Sequence, residues 1–148
     1  MSDESAVLQA IHQLGGSPDD LPFWNASSEG RFCLHRCGVC GKHYWPASRC
    51  VEHADQDMAW VDASGRGTVH TFSVLHHAYT PEMHGKTPYV VAVVQLDEGP
   101  FFHTNIVGCS PADVAIDMRV NALFEARANG LTVPLFQPVS AGDASKLL

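Results

Sequence analysis

Cys37-Gly38-Val39-Cys40-Gly41, followed nine residues later by Cys50-Val51-Glu52-His53, constrains this chain more than any other feature. Two ligand-type side chains separated by two residues can close on one ion. A second such pair completes the tetrahedron that zinc prefers. The spacing assigns Cys37, Cys40, Cys50 and His53 to a closed structural Zn2+ site. His35, His43 and Cys33 lie close enough in sequence to stand in for one of the four. The alternative is a redox dithiol, but such a pair opens a helix after a buried strand. Here Tyr44, Trp45 and Pro46 follow, which are poor helix formers. With four ligands from the protein no position is left for water, so the ion is expected to hold structure and not to catalyse.

A staple is needed there on physical grounds. Residues 31 to 61 are rich in cysteine, glycine and aromatics and show little periodicity. A segment so short buries too little apolar surface to fold unaided. Four of the five cysteines fall between Cys33 and Cys50, and the fifth is Cys109. An odd, bunched set is a poor disulfide framework and a natural metal set. Cys109 itself reads as a small buried apolar group.

Around this segment the patterning is plainer. Ala6, Leu8, Ile11 and Leu14 follow a helical period that Gly15 and Gly16 end. Ser17 before Pro18, Asp19 and Asp20 marks a second helix start, with an end expected near Gly30. From Gly65 onward the chain is strand-like. Strands are expected over Thr68–His76, Tyr89–Leu96, Phe101–Val107, Met118–Ala126 and Leu131–Phe136, with turns at 97–100 and at Asn129-Gly130. Pro134 in the last run implies an edge or a bulge. Five short strands with tight turns suggest a small barrel of the OB type. The fold class is therefore mainly β: an N-terminal helical segment over 1–30, a zinc ribbon over 31–62, a five-stranded OB-fold barrel over 63–138 and a flexible tail over 139–148.

Charge narrows the function classes. The net charge is −7. Nucleic acid and anionic membranes repel such a chain unless a local patch reverses the field. Arg31, Arg36, Lys42 and Arg49 are clustered, as an anion site or as a solvated face. No run approaches a bilayer span, and the first residues lack a secretory signal, so the reading is a cytoplasmic protein. The histidines at 70, 76, 77, 84 and 103 are expected at the surface, since no nucleophile–histidine–acid set is evident. Trp24, Trp45 and Trp60 are either interface anchors or, as favoured here, the closure of the seam between ribbon and barrel.

The chain also resembles a known family: a rubredoxin-like zinc ribbon followed by an OB-fold, found beside thiolases and other acyl-CoA enzymes. The residues that carry the resemblance are Pro22-Phe23-Trp24, Glu29-Gly30-Arg31-Phe32, Arg36-Cys37-Gly38-Val39-Cys40-Gly41, Trp45-Pro46-Ala47, Cys50, the stretch Trp60 to Val69, Pro88 to Ala92, Leu96-Asp97-Glu98-Gly99-Pro100 and Asn105 to Cys109. His53 departs from the family, which carries cysteine there. The resemblance implies a non-catalytic accessory or scaffold subunit, with little activity alone, that helps bind acyl-CoA. Its partner would be a thiolase-like enzyme, a hot-dog-fold hydratase or a sterol side-chain aldolase of thiolase fold, in a hetero-oligomer. Arg66, between two glycines at the ribbon–barrel junction, would meet a CoA phosphate or hold the modules together through carbonyls. Arg36 and Trp45 complete the expected ligand set. The alternative is a single-stranded nucleic-acid binder, for which the net charge is unfavourable. A stand-alone hydrolase using the loop from His76 to His84 ranks last.

Overall fold

The structure, a computed structural model, describes residues 2–139. The tail expected over 139–148 lies outside the described residues apart from Val139.

Helix α1 spans Ser2–Gln13. It ends where Gly15 takes a left-handed φ of 82°, a conformation that costs glycine little. The segment expected as one second helix is two elements. Pro18–Asp20 forms a 3-10 turn and Leu21–Ser28 forms α2. Ser17 caps the turn, its hydroxyl accepting from the Asp19 N–H at 3.1 Å. The tight turn arises because Pro22 has no N–H to give the Pro18 carbonyl, as a continuous α-helix would require.

The ribbon contains strands that its sequence did not announce. Strand β1 (Cys33–Cys37) lies between β2 (His43–Tyr44) and β3 (Met58–Asp62), both antiparallel to it. Five residues of β1 alternate too weakly to declare a strand. Cross-strand pairing decides them, with Cys33 opposite Asp62 and Cys37 opposite Met58.

Strands β4 (Arg66–Leu75), β5 (Tyr89–Leu96), β6 (Phe101–Ile106), β7 (Arg119–Ala126) and β8 (Thr132–Pro138) close into a barrel of order β4-β5-β6-β8-β7. Neighbours are antiparallel along β4-β5-β6, and β7 returns antiparallel to β4 through Gly67 opposite Val120. The pair β6–β8 is parallel, with Ile106 opposite Phe136. The register of β4 shifts between Val69 and Thr71, a bulge of the kind that lets a strand bend round a closed sheet. The run that holds Pro134, expected at an edge or a bulge, is β8, which meets β6 through the Ile106–Phe136 pair. The missing N–H of Pro134 falls two residues before that pair.

The described chain divides into two compact units. One comprises residues 2–65, 98–100 and 124–134, and the other 66–97, 101–123 and 135–139. The core of the second is the inward face of the strands: Val69, Val90, Val94, Val120 and Phe136 are each buried, and the rings of Phe102 and Phe136 lie 5.9 Å apart. The first unit packs round Phe23 of α2, which is 1% exposed. The rings of Trp24, Phe32, Trp45 and Trp60 lie 5.2, 5.6, 5.3 and 6.4 Å from it. The tryptophans expected at a ribbon–barrel seam thus gather on Phe23, because one buried aromatic offers edge-to-face contact to several rings at once. Trp24 also packs on Ala10, Ile11 and Leu131.

Candidate metal centre

The side chains of Cys37, Cys40, Cys50 and His53 come together, their ligand atoms all within 4.8 Å of one another. Two knuckles position them. In the first, the Cys37 N–H donates to the Lys42 carbonyl at 3.0 Å, and the Gly41 N–H returns to the Cys37 carbonyl at 2.7 Å. Gly41 turns the chain with a φ of 79°. In the second, Cys50 and Ala54 exchange backbone hydrogen bonds at 2.7 and 2.9 Å, and the Val51 N–H donates to the Tyr44 hydroxyl at 3.0 Å.

The donor geometry can be compared with that of an ion. At ordinary zinc–ligand distances a tetrahedron places two sulfurs about 3.8 Å apart and a sulfur and a nitrogen about 3.6 Å apart. The Cys40 and Cys50 sulfurs are separated by 3.6 Å. His53 Nδ1 lies 3.7 Å from the Cys37 sulfur and 3.5 Å from that of Cys50. A disulfide would need about 2 Å, and all the cysteines are free. The four residues can therefore hold a metal ion through three sulfurs and Nδ1. That leaves Nε2 on the other side of the ring.

The electrostatics suit a cation. The Tyr44 hydroxyl is the largest influence on Cys50. With the backbone N–H groups of Glu52 and His53 and the His53 ring, it holds the thiol down at about 5 against the effect of burial. At Cys40 the Lys42 N–H favours the thiolate, but desolvation and the thiols of Cys50 and Cys37 outweigh it, and the group is held up. One thiolate beside a thiol that resists ionising is the pattern a bound cation relieves, because a coordinated thiol gives up its proton.

The nearby alternatives sit elsewhere. Cys33 is buried and donates to the Asp62 carboxylate at 3.3 Å, with Arg31 bridging Asp62 and Glu29. Burial, then Asp62, pushes its thiol up to about 11. His35 Nδ1 accepts from the Ser48 N–H at 3.0 Å, and its ring lies 4.8 Å from that of Trp60. Desolvation lowers its pKa. His43 lies in β2 opposite Arg36. Cys109 is half-buried and is held up by burial and then by Asp113.

Arg36 is half-buried in β1, with its guanidinium against Gly41, where a Cβ would come within 3.1 Å of Nη2. Trp45 follows β2 and packs on Phe23. Arg66 opens β4 in the other unit, exposed, and its carbonyl accepts from the Asp97 N–H at 3.0 Å. Two features escaped sequence reasoning. One is Tyr44, whose hydroxyl serves the second knuckle; nothing in its spacing marks that role. The other is a cleft of about 560 Å³ lined by Asp19, His35, Ser48, Arg49, Asp55 and Trp60, which are brought together by folding from separate segments.

Residues 60–125 match the family described as the ChsH2 C-terminal OB-fold domain. A probable enoyl-CoA hydratase alpha subunit of Thermomonospora curvata is 36% identical over 128 residues, 85% of this chain and 40% of the relative. The chain thus spans about two fifths of that relative's length. A DUF35 domain-containing scaffold protein of Methanocaldococcus jannaschii is 37% identical over 98 residues, 64% of this chain and 69% of the relative. Among solved structures, a chain of the Ltp2-ChsH2(DUF35) aldolase superposes with a TM-score of 0.74 at 33% identity, covering 84% of this chain and 97% of that one. On these likenesses the chain belongs to the DUF35 family of proteins that carry the ChsH2 C-terminal OB-fold.

Proposed function

We propose that this chain is a non-catalytic accessory subunit that docks on an enzyme of acyl-CoA, lipid or sterol side-chain metabolism and helps bind its acyl-CoA. The observation that carries the reading is the likeness to nearly the whole of one chain of an aldolase whose description pairs two components. The hydratase alpha subunit and the scaffold protein support it from two further directions. The partner would be of thiolase-like or hot-dog hydratase fold, in a cytoplasmic hetero-oligomer. Residues 31–62 would act as the ribbon module and 63–138 as the barrel.

In this reading Cys37, Cys40, Cys50 and His53 hold a structural zinc. The fit of their sulfur and nitrogen spacings to a tetrahedron supports it. Arg66 and Arg36 would meet CoA phosphates, and Trp45 would offer an aromatic surface. The nucleic-acid alternative is less favoured. Single strands follow grooves lined by cations, whereas Tyr89–Leu96 and Phe101–Ile106, the strands that form the usual OB binding face, contain no lysine or arginine.

Co-expression tests the proposal. The tagged chain is produced with each thiolase-fold and hydratase chain of its source organism. Complexes are then captured and assayed for acyl-CoA turnover with and without this chain. One partner should co-elute stoichiometrically and lose at least tenfold in activity when the chain is withheld. Failure of every such partner to bind, together with salt-sensitive binding of a single-stranded oligonucleotide, would overturn it.

A further inference from the structure

We propose that Cys40 and Cys50 form an oxidative modification site, at which a hydroperoxide joins the two sulfurs and expels the metal. The inference rests on the metal reading above and goes beyond it. It begins from an asymmetry among the four ligands. Cys37 is fully buried and Cys50 is 4% exposed, whereas Cys40 is exposed between Val39 and Gly41 at the tip of its knuckle. An oxidant arriving from solvent therefore meets the Cys40 sulfur first. The Cys50 sulfur stands 3.6 Å away, poised to resolve the product.

The anchoring of the ligands selects the pair. Cys37 ends β1, opposite Met58, and its N–H is engaged by the Lys42 carbonyl, so the strand holds it in place. Cys40 sits in a turn and Cys50 in a single isolated bridge to Ala54 outside the three ribbon strands, next to the exposed residues Val39 and Val51. Forming a disulfide requires the sulfurs to close from 3.6 Å to about 2.05 Å, a motion that the turn carrying Cys40 absorbs more readily than the paired strand that carries Cys37.

The chemistry balances. The Cys40 thiolate attacks one peroxide oxygen, the O–O bond breaks and hydroxide leaves, so Cys40 becomes a sulfenic acid. The Cys50 thiolate attacks that sulfur, the S–O bond breaks and a second hydroxide leaves as the S–S bond forms. Two thiolates, one hydroperoxide and two protons yield a disulfide with water and, from an alkyl peroxide, the alcohol. Two of four ligands are then consumed. Cys37 and His53 alone cannot complete a tetrahedron, and the ion departs.

The other two cysteines are placed to escape. Cys33 is buried with its thiol on Asp62, and Cys109 is half-buried and lies outside the four-residue cluster.

The full chain loaded with zinc tests this. Its metal content is first measured by elemental analysis, which reads the metal site independently. Hydrogen peroxide is then titrated in, zinc release is followed with a chromogenic chelator, and non-reduced peptides are mapped by mass spectrometry. One zinc per chain should appear together with a Cys40–Cys50 linkage, while Cys33, Cys37 and Cys109 stay alkylatable. A dithiol reductant with added zinc should reverse both changes. Cys33→Ser and Cys109→Ser should release zinc at the parental rate. These controls leave the ligand set intact, so the test does not depend on a variant that fails to fold. A Cys37–Cys40 linkage, oxidation of Cys40 without any disulfide, or zinc retained after disulfide formation would overturn the inference. Zinc absent at the outset would overturn the metal reading instead, and the map would still decide which sulfurs join.

Discussion

Replacing Gly67 by alanine should destabilise the barrel by about 2 kcal/mol. A Cβ at this position would lie 2.5 Å from Val94 Cγ1, 2.6 Å from the Gln95 carbonyl oxygen and 3.2 Å from the Gln95 carbonyl carbon. Comfortable contact between non-bonded heavy atoms is about 3.5–4.0 Å, so something must move by roughly 1 Å. Little can yield. Val94 is fully buried, and the Gln95 carbonyl belongs to the backbone of β5, which is paired to β4 at Thr68 and to β6 at Phe101. Gly67 is itself held between Leu96 and Val120 on its two neighbouring strands. Overpacking of this kind costs about 1–3 kcal/mol, and the backbone contact puts Gly67→Ala toward the upper end. Restricting the unfolded chain returns about 0.4–1 kcal/mol, which leaves about 2 kcal/mol net. With a urea slope of about 1.5 kcal/mol/M, the midpoint should fall by about 1.3 M. Urea titration followed by far-ultraviolet circular dichroism reads the strands. Tryptophan fluorescence in the same samples reads the first unit, which holds all three tryptophans. A midpoint for Gly67→Ala within about 0.3 M of the parent, well below that worked shift, would refute the steric argument.

Three further outcomes are expected. Phe23→Ala removes the ring round which Trp24, Phe32, Trp45 and Trp60 pack; it should cost about 3–5 kcal/mol and shift tryptophan emission to the red, and an unshifted spectrum with parental stability would contradict the cluster. The Arg119 guanidinium, bonded to Asp97 at 2.7 and 3.0 Å, holds that carboxyl below its usual range. Its stabilisation is therefore complete above the unfolded carboxylate value of about 3.9 and is lost as pH falls through the lower folded value. Both side chains are more than a third exposed, so screening limits the effect to at most about 1 kcal/mol. Asp97→Asn should flatten this part of the acid stability curve, and an unchanged curve would remove the pair from the account. Finally, a strong chelator should lower the melting temperature of the metal-loaded chain, as should acid, because thiols and imidazole must lose protons to bind. His53→Ala should bring the untreated protein to the chelated value, and melting indifferent to chelator would dismiss the ion as a staple.

How much could be read from the residues differed between the two halves. Most barrel strands are rich in β-branched and aromatic residues, so their existence showed in the sequence, with ends displaced by at most two residues. Thr68–His76 was expected where Arg66–Leu75 is found, and Leu131–Phe136 where Thr132–Pro138 is found. In the ribbon the reverse held. The ligand spacing pointed to Cys37, Cys40, Cys50 and His53, the four that gather, whereas β1, β2 and β3 escaped notice because strands of two to five residues carry too little pattern. The tryptophans marked a packing centre without saying where. Phe23 supplies that centre, and in sequence it is one aromatic among several.

What the sequence determined by itself was local: where the chain must turn, which runs alternate, and which thiols stand two residues apart. These depend on backbone conformation and on nearest neighbours along the chain. Tertiary structure alone decided closure. The parallel pairing of Ile106 with Phe136 and the return of β7 to β4 join residues distant along the chain, and the exposure of Cys40 beside a buried Cys50 depends on what covers them. Such contacts form only when the entropy of closing long loops is outweighed by burying the whole core together, and no short window of sequence records that balance.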